Sequence, residues 1–290
     1  MEGLVISCGD SEARLVPALG GAIGHWRWKG VDILRPAPGG TDIAAMASFP
    51  MLPYANRLGN AELPGFGRLT PNAAPERHGL HGIGWQRPWA VTEAAPDGAE
   101  LTLRHAAGAD WPFDFFAVMR FGLESDRLTT TLTLTNLDGR PMPVGAGCHP
   151  YFPIDADTRF DSAWSGVWEI GDDLLPTRHR SVPRPAPRLA LGWNVNHCFT
   201  GWSGVASLAY ADRLVTVRAG PECQYLQCYQ PGAAQPYIAL EPVSHAPNAH
   251  QMRTPASHGL RELASGMSLA ISMSISVEAL PAASADLRGA

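Results

Sequence analysis

Four stretches of the chain concentrate polar, aromatic and titratable residues beyond what strands and turns require. FPMLPYANRLGN holds Asn56 and Arg57, and ERHGLHGIGWQRPW holds His78, His81, Trp85 and Trp89. GAGCHPYFP holds His149 and Tyr151, and QCYQPGAAQPYIALEPVSHAPNAHQ holds Gln227, Glu241, His245 and His250. Each joins a Gly/Pro-rich turn to rigid aromatics and one or two titratable groups. Loops on a rigid scaffold commonly carry binding and catalytic residues. A sugar suits this mixture: its hydroxyls meet Asn, Gln, Arg and His, and its C–H faces pack on aromatic rings. Pockets of that kind have apolar walls and a few converging polar groups.

Structural roles compete for the same residues. His149, between Cys148 and Pro150, also fits a hydrogen-bonded histidine of the framework. Glu241 follows the apolar run Tyr237 to Leu240 and also fits an exposed carboxylate at a strand end. Arg57 could pair with a surface carboxylate, a contact worth at most about 1 kcal/mol. His78 and His81 have H-x-x-H spacing, with His245 and His250 further on. A zinc site needs a third ligand converging on such a pair, and no metal is expected. Trp85 and Trp89 fit a core or a sugar platform equally. Trp26, Trp28, Trp111, Trp164 and Trp168 are assigned to packing.

The elements that must position these residues read as strands. In MSLAISMSISV, Met267, Leu269, Ile271, Met273, Ile275 and Val277 alternate with small and polar residues, so one face of a long strand is buried. LTTTLTLT puts Leu128, Leu132 and Leu134 in phase with β-branched Thr between them. Phe115, Ala117, Met119 and Phe121 form a third set, and Leu101 with Leu103 a fourth. Turn signals separate them, at Pro96-Asp97-Gly98 and Asn136-Leu137-Asp138-Gly139. No ten-residue window has capped helical periodicity. The expected fold is all-β, two packed sheets. Residues 1–280 are expected to form one domain, with RHRSVPRPAPR (178–188) as a surface loop and 281–290 as a frayed tail.

The bulk numbers exclude several classes. The net charge is −5 and no Lys/Arg run stands out, so neither a nucleic-acid partner nor an anionic membrane surface is expected. Five irregularly spaced cysteines without a C-x-x-C pair read as reduced thiols. No signal peptide or apolar span is visible, which gives the expectation of a soluble cytoplasmic protein. Oligomeric state is not legible.

The four segments, in this order, resemble the aldose 1-epimerase (galactose mutarotase) family from ALGGAIGHWRW to the last strand. The family's Asn-Arg pair falls on Asn56-Arg57 and its Leu-His-Gly segment on Leu80-His81-Gly82. Its His-x-Tyr-Phe motif falls on His149 to Phe152, and its Leu-Glu-Pro motif on Leu240-Glu241-Pro242. The resemblance implies a β-supersandwich acting on a monosaccharide. It makes Glu241 the base that deprotonates the C1 hydroxyl and His149 the acid that protonates the ring oxygen. Substrate contacts would come from Asn56, Arg57, His81, Tyr151, Asn196 and Gln227. Interconverting anomers needs one base and one acid on different sides of the sugar, without cofactor, metal or covalent nucleophile. Two positions depart from the family: Asn196 stands where many relatives have Asp before His-x-Phe, which bears on sugar preference. Asn248 stands where many have Pro-Asp-Ala, which bears on a turn. A hexose-phosphate epimerase, with Arg77 and Arg87 flanking the histidine segment, and a non-catalytic sugar-binding module remain as alternatives. Glycoside hydrolysis needs a second carboxylate across the scissile bond, and only Glu241 is nominated.

Overall fold

Two strand-rich layers share one apolar core. The computed structural model describes residues 3–182, 194–232 and 235–281; among them the only helices are short 3-10 turns. None is long and apolar enough to cross a membrane. The first layer is an eight-stranded antiparallel sheet. It runs in the spatial order Ala90–Ala95, Gly98–His105, Phe115–Leu123, Arg127–Asn136, Ser268–Ala279, Arg213–Ala219, Val205–Ala209 and Arg159–Ser162. Its inner face carries the alternating sets expected from sequence: Leu101, Phe115, Met119, Leu132, Leu134, Ile271 and Ile275 are all buried. Met267 is the exception. It stands before the first residue of its strand and is 58% exposed, because the preceding turn at Gly266, with φ +77°, starts the alternation one residue later.

The second layer holds the site. Its order is Pro176–Ser181, Gly166–Ile170, Asn194–Thr200, Tyr225–Pro231, Tyr237–Val243, Gly147–Cys148 and Pro50–Met51, with Tyr151–Pro153 also paired to Tyr237–Val243. Val195, Phe199, Leu226, Cys228, Ile238 and Leu240 join the core cluster of the first sheet. A strand directs successive side chains to opposite faces. Asn196, Gln227, Tyr229, Ala239 and Glu241 therefore point away from that core. The sheet presents them beside a second buried cluster that includes Phe49, Met51, Trp85 and Tyr151. A smaller four-stranded sheet, from Leu4–Cys8 to Val31–Asp32, packs Ile6, Leu15 and Trp26 onto the main core.

The expected loop at 178–188 is corrected in part: Arg178 to Ser181 belong to the edge strand Pro176–Ser181. An edge strand needs pairing on one side only and tolerates an exposed, charged sequence. The rest of that stretch and the tail after Pro281 lie outside the described residues. The five cysteines are unpaired thiols.

Candidate active site

Strand alternation brings the acid–base candidates together. Glu241 lies opposite Gln227 in the ladder, Asn196 opposite Tyr229, and Ala239 opposite Tyr151. His149 occupies the short break between Gly147–Cys148 and Tyr151–Pro153, where its N–H donates to Phe49 O at 3.0 Å. Its ring stands between Phe49 and Tyr151, each with its centroid 4.6 Å away. His81 meets it edge-on at 5.1 Å. The packing leaves His149 Nε2 3.2 Å from Glu241 Oε1. Both residues are almost fully buried, so Glu241 does not take the exposed strand-end role that local sequence also permitted.

Asn56 and His81 are fixed by reciprocity. Both adopt left-handed backbone conformations, with φ of +56°. The His81 N–H donates to Asn56 O at 2.8 Å, and the Asn56 N–H donates to His81 Nδ1 at 3.2 Å. A lone pair at Nδ1 places the His81 proton on Nε2, on the side free to donate. Arg57 follows at once, with its N–H on Asn56 Oδ1, and its guanidinium is engaged by both carboxylate oxygens of Glu76. That pair is partly buried, unlike the surface pairing considered from sequence.

Asn56, Arg57, Leu80, His81, His149, Tyr151, Leu174, Asn196, Tyr229 and Glu241 line one cavity of about 280 Å³. Seven of the eight residues predicted to act are in that lining. Gln227 is not: it is 1% exposed and donates through Nε2 to Asn196 Oδ1 at 2.8 Å, holding Asn196 from behind. Larger depressions on the protein surface gather no comparable acid–base pair among the described residues. Leu80, Leu174 and Tyr229 were not foreseen. Tyr229 was accessible to the same alternation that places Gln227, whereas Leu174 carries no sequence signal.

Burial dominates the electrostatics. It pushes the Glu241 carboxyl well above the usual carboxylate range, with Arg57 opposing only in part. It pushes His149 down to about 3, and Arg35 adds to the effect. His81 is held well below the ordinary histidine value by burial first, then by His149 and Arg57. Desolvation penalises charge on both members of the His149–Glu241 pair, so the pair is favoured in a neutral form carrying one proton. Glu241 Oε2, His149 Nδ1 and Gln227 Oε1 are buried without a hydrogen-bond partner among the described residues. Buried polar atoms of that kind call for partners, and here three occur together.

Arg35 is the residue that sequence reading missed altogether. Its guanidinium lies 3.9 Å over the Tyr151 ring and 4.3 Å over Tyr237, and Nη2 donates to Ala44 O and Met46 O. Among the described residues it has no carboxylate partner. The remaining candidates are structural. His78 accepts from the Asn60 N–H at Nδ1 and donates from Nε2 to Asp173 O. His245 accepts from the Ala55 N–H and donates to Ala246 O. Trp85 and Trp89 are buried and donate to backbone carbonyls of the 80–84 segment.

Known proteins share this chain's family and fold. The family description "Aldose 1-epimerase" matches residues 6–276. An uncharacterized Escherichia coli K12 protein, YphB, is 33% identical over 281 residues, covering 89% of this chain and 93% of its own. A crystal structure from Escherichia coli K12, described as a candidate aldose 1-epimerase, superposes with a TM-score of 0.88 at 28% identity, over 96% of this chain and 99% of its own. A galactose mutarotase-like protein from Clostridium acetobutylicum shares the fold with a TM-score of 0.86 at 19% identity, over 96% and 95% of the two chains. The chain belongs to the aldose 1-epimerase family and has its galactose mutarotase-like fold.

Proposed function

We propose that the protein interconverts the α and β anomers of a free monosaccharide by acid–base ring opening and reclosure. The observation that carries this reading is the contact between His149 Nε2 and Glu241 Oε1, 3.2 Å apart in the cavity wall. Family membership supplies the reaction class.

Glu241 takes the proton of the C1 hydroxyl while His149, as imidazolium, gives one to the ring oxygen. The C1–O5 bond breaks, and the open-chain aldehyde leaves Glu241 protonated and His149 neutral. That is the same proton arrangement that burial favours in the free protein. The cyclic sugar therefore reacts after one proton passes from Glu241 to His149, and hydrogen bonds from its hydroxyls favour the charged pair. Rotation about C1–C2 and reversal of the steps give the other anomer. His81, through Nε2–H, and the amides of Asn56 and Asn196 are the groups assigned to the remaining hydroxyls.

The cavity lies just below the roughly 300–1,000 Å³ typical of small-molecule sites, which fits one sugar ring. A phosphate ester fits less well. Arg57 is already paired with Glu76, while Arg77 and Arg87 pair with Asp173 and Asp110 outside the cavity lining. Polarimetry on freshly dissolved α-glucose, α-galactose, α-xylose and glucose 6-phosphate tests the proposal. Acceleration with a neutral sugar is expected, and no acceleration with any of them refutes it. Glu241→Gln should lower kcat by about 10²- to 10⁴-fold, the usual contribution of a positioned acid or base, while sugar still binds. Normal mutarotation by that variant would remove Glu241 from the mechanism.

A further inference from the structure

The turn joining strands Gly166–Ile170 and Pro176–Ser181 presents a leucine where backbone geometry favours another residue. Leu174 has φ +65°, a region in which a β-carbon is strained and Gly or Asn is at home. Its side chain is also 37% exposed. The turn does not need that side chain. The Leu174 N–H donates to Gly171 O, the Gly171 N–H to Leu175 O, and the Leu175 N–H to Asp173 Oδ1. Packing does not account for it either, since Leu174 belongs to neither apolar cluster. It lines the cavity with Arg57, Leu80, Tyr229 and the acid–base pair.

The turn is also held in place. His78 is 2% exposed and bridges two segments, accepting from the Asn60 N–H at 2.8 Å and donating to Asp173 O at 3.0 Å. Arg77 Nη2 lies 3.9 Å from Asp173 Oδ2. The residue before Leu174 is thus tied, through His78, to the two segments that carry Arg57 and His81. Strain together with an exposed apolar side chain persists where function maintains it.

We propose that Leu174 is a specificity-determining residue: it forms the apolar wall against which the C–H face of a neutral monosaccharide packs. The proposal rests on the reading of this cavity as a monosaccharide site. A hydroxyl or charged group turned toward Leu174 would lose water without gaining a partner. A C–H face gains by leaving water.

Positive φ makes the test clean. Leu174→Gly removes the side chain and relieves the backbone, so its thermal midpoint should match or exceed that of the wild type. Its KM for the best aldose among glucose, galactose, xylose and arabinose should nevertheless rise about 5- to 20-fold, with kcat within about twofold, as expected for an apolar contact made equally in ground and transition states. Leu174→Asn, similar in size but polar, should raise KM comparably, and Leu174→Met should restore it. An unchanged KM in Leu174→Gly overturns the proposal, as does a KM rise accompanied by a lower thermal midpoint. Saturation-transfer NMR with the same four sugars separates the two readings. Binding without turnover refutes mutarotation alone, and the Leu174 variants are then compared by Kd. Absence of binding refutes both.

Discussion

Burial acts on His149 and Glu241 in opposite directions, and the opposition shapes the pH dependence of turnover. The proposed reaction needs one proton on the pair. At the acid end activity is lost when His149 takes up a second proton, which burial defers toward about 3. At the alkaline end it is lost when the pair gives up its only proton, which burial of Glu241 also defers. The profile of kcat/KM should be a broad plateau across neutrality, with its acid limb well below the ordinary histidine value of about 6.5. An acid limb at that ordinary value would show that His149 is not desolvated as described. The charged and titratable groups around its ring are Glu241, His81, Tyr151, Arg57 with its partner Glu76, and Arg35. Arg35 reaches His149 through the Tyr151 ring and is closer than about 10 Å, the screening length at 0.1 M salt. Arg35→Met should therefore move the acid limb to higher pH, and Arg35→Lys should leave it nearly in place. Equal loss of activity at every pH in Arg35→Met would assign the residue to packing alone. Nothing in ILRPAP marks Arg35, because its partners Tyr151 and Tyr237 are far away in sequence. His149 and Glu241 were legible as members of ordered motifs, whereas their direct contact required the strand pairing.

Strand alternation also explains why the site faces away from the main core, although the sequence reads Tyr237 to Leu240 only as an apolar run. Ile238 and Leu240 go one way, and Ala239, Glu241 and Val243 the other. The turns were less legible, since their conformations depend on partners elsewhere in the chain. Asn56 and His81 hold each other in the left-handed region across 25 residues. Asn248 is a third case, with φ +56°. Its Oδ1 accepts from the Gly59 N–H at 2.9 Å, and its own N–H donates to Arg57 O at 2.9 Å. The position requires a short side chain that tolerates the left-handed region and accepts a hydrogen bond, which Asp supplies as well as Asn. Asn248→Asp should leave stability within about 0.5 kcal/mol, and Asn248→Ala should cost about 1–2 kcal/mol through the lost acceptor. Urea unfolding of the two variants measures this. A larger cost for Asp than for Ala would show that the position excludes a negative charge more strongly than it requires an acceptor. The strand over Arg178 to Ser181 escaped the sequence reading for a different reason. An edge strand exposed to water carries no hydrophobic alternation.

Across the whole molecule, burial holds four histidines of the described residues neutral. His81, His149, His245 and His250 are all at least nine-tenths buried. Burial is the largest cause of depression in each, taking His245 to about 4 and both His149 and His250 to about 3. The unfolded chain protonates such histidines near 6.5 and the folded chain does not. Their contribution to stability is therefore complete above that value and declines as pH falls below it. Glu241 works in reverse. Its raised folded value makes its contribution complete below about 4.5 and lost as pH rises. Four groups oppose one between about pH 6.5 and pH 4.5, so acid destabilises the protein on balance. Each unopposed proton is worth up to about 1.4 kcal/mol per pH unit. The unfolding free energy should fall by at least about 3 kcal/mol between about pH 7.5 and pH 5, read from urea midpoints at constant slope. A flat or rising stability over that interval would mean that several of these histidines are charged in the folded state. The His149–Glu241 pair carries one proton whether it is neutral or charged, so a proton passing within it leaves this slope unchanged. The stability profile therefore counts the histidines that burial holds neutral, and the activity profile reports the single proton that the pair must keep for turnover.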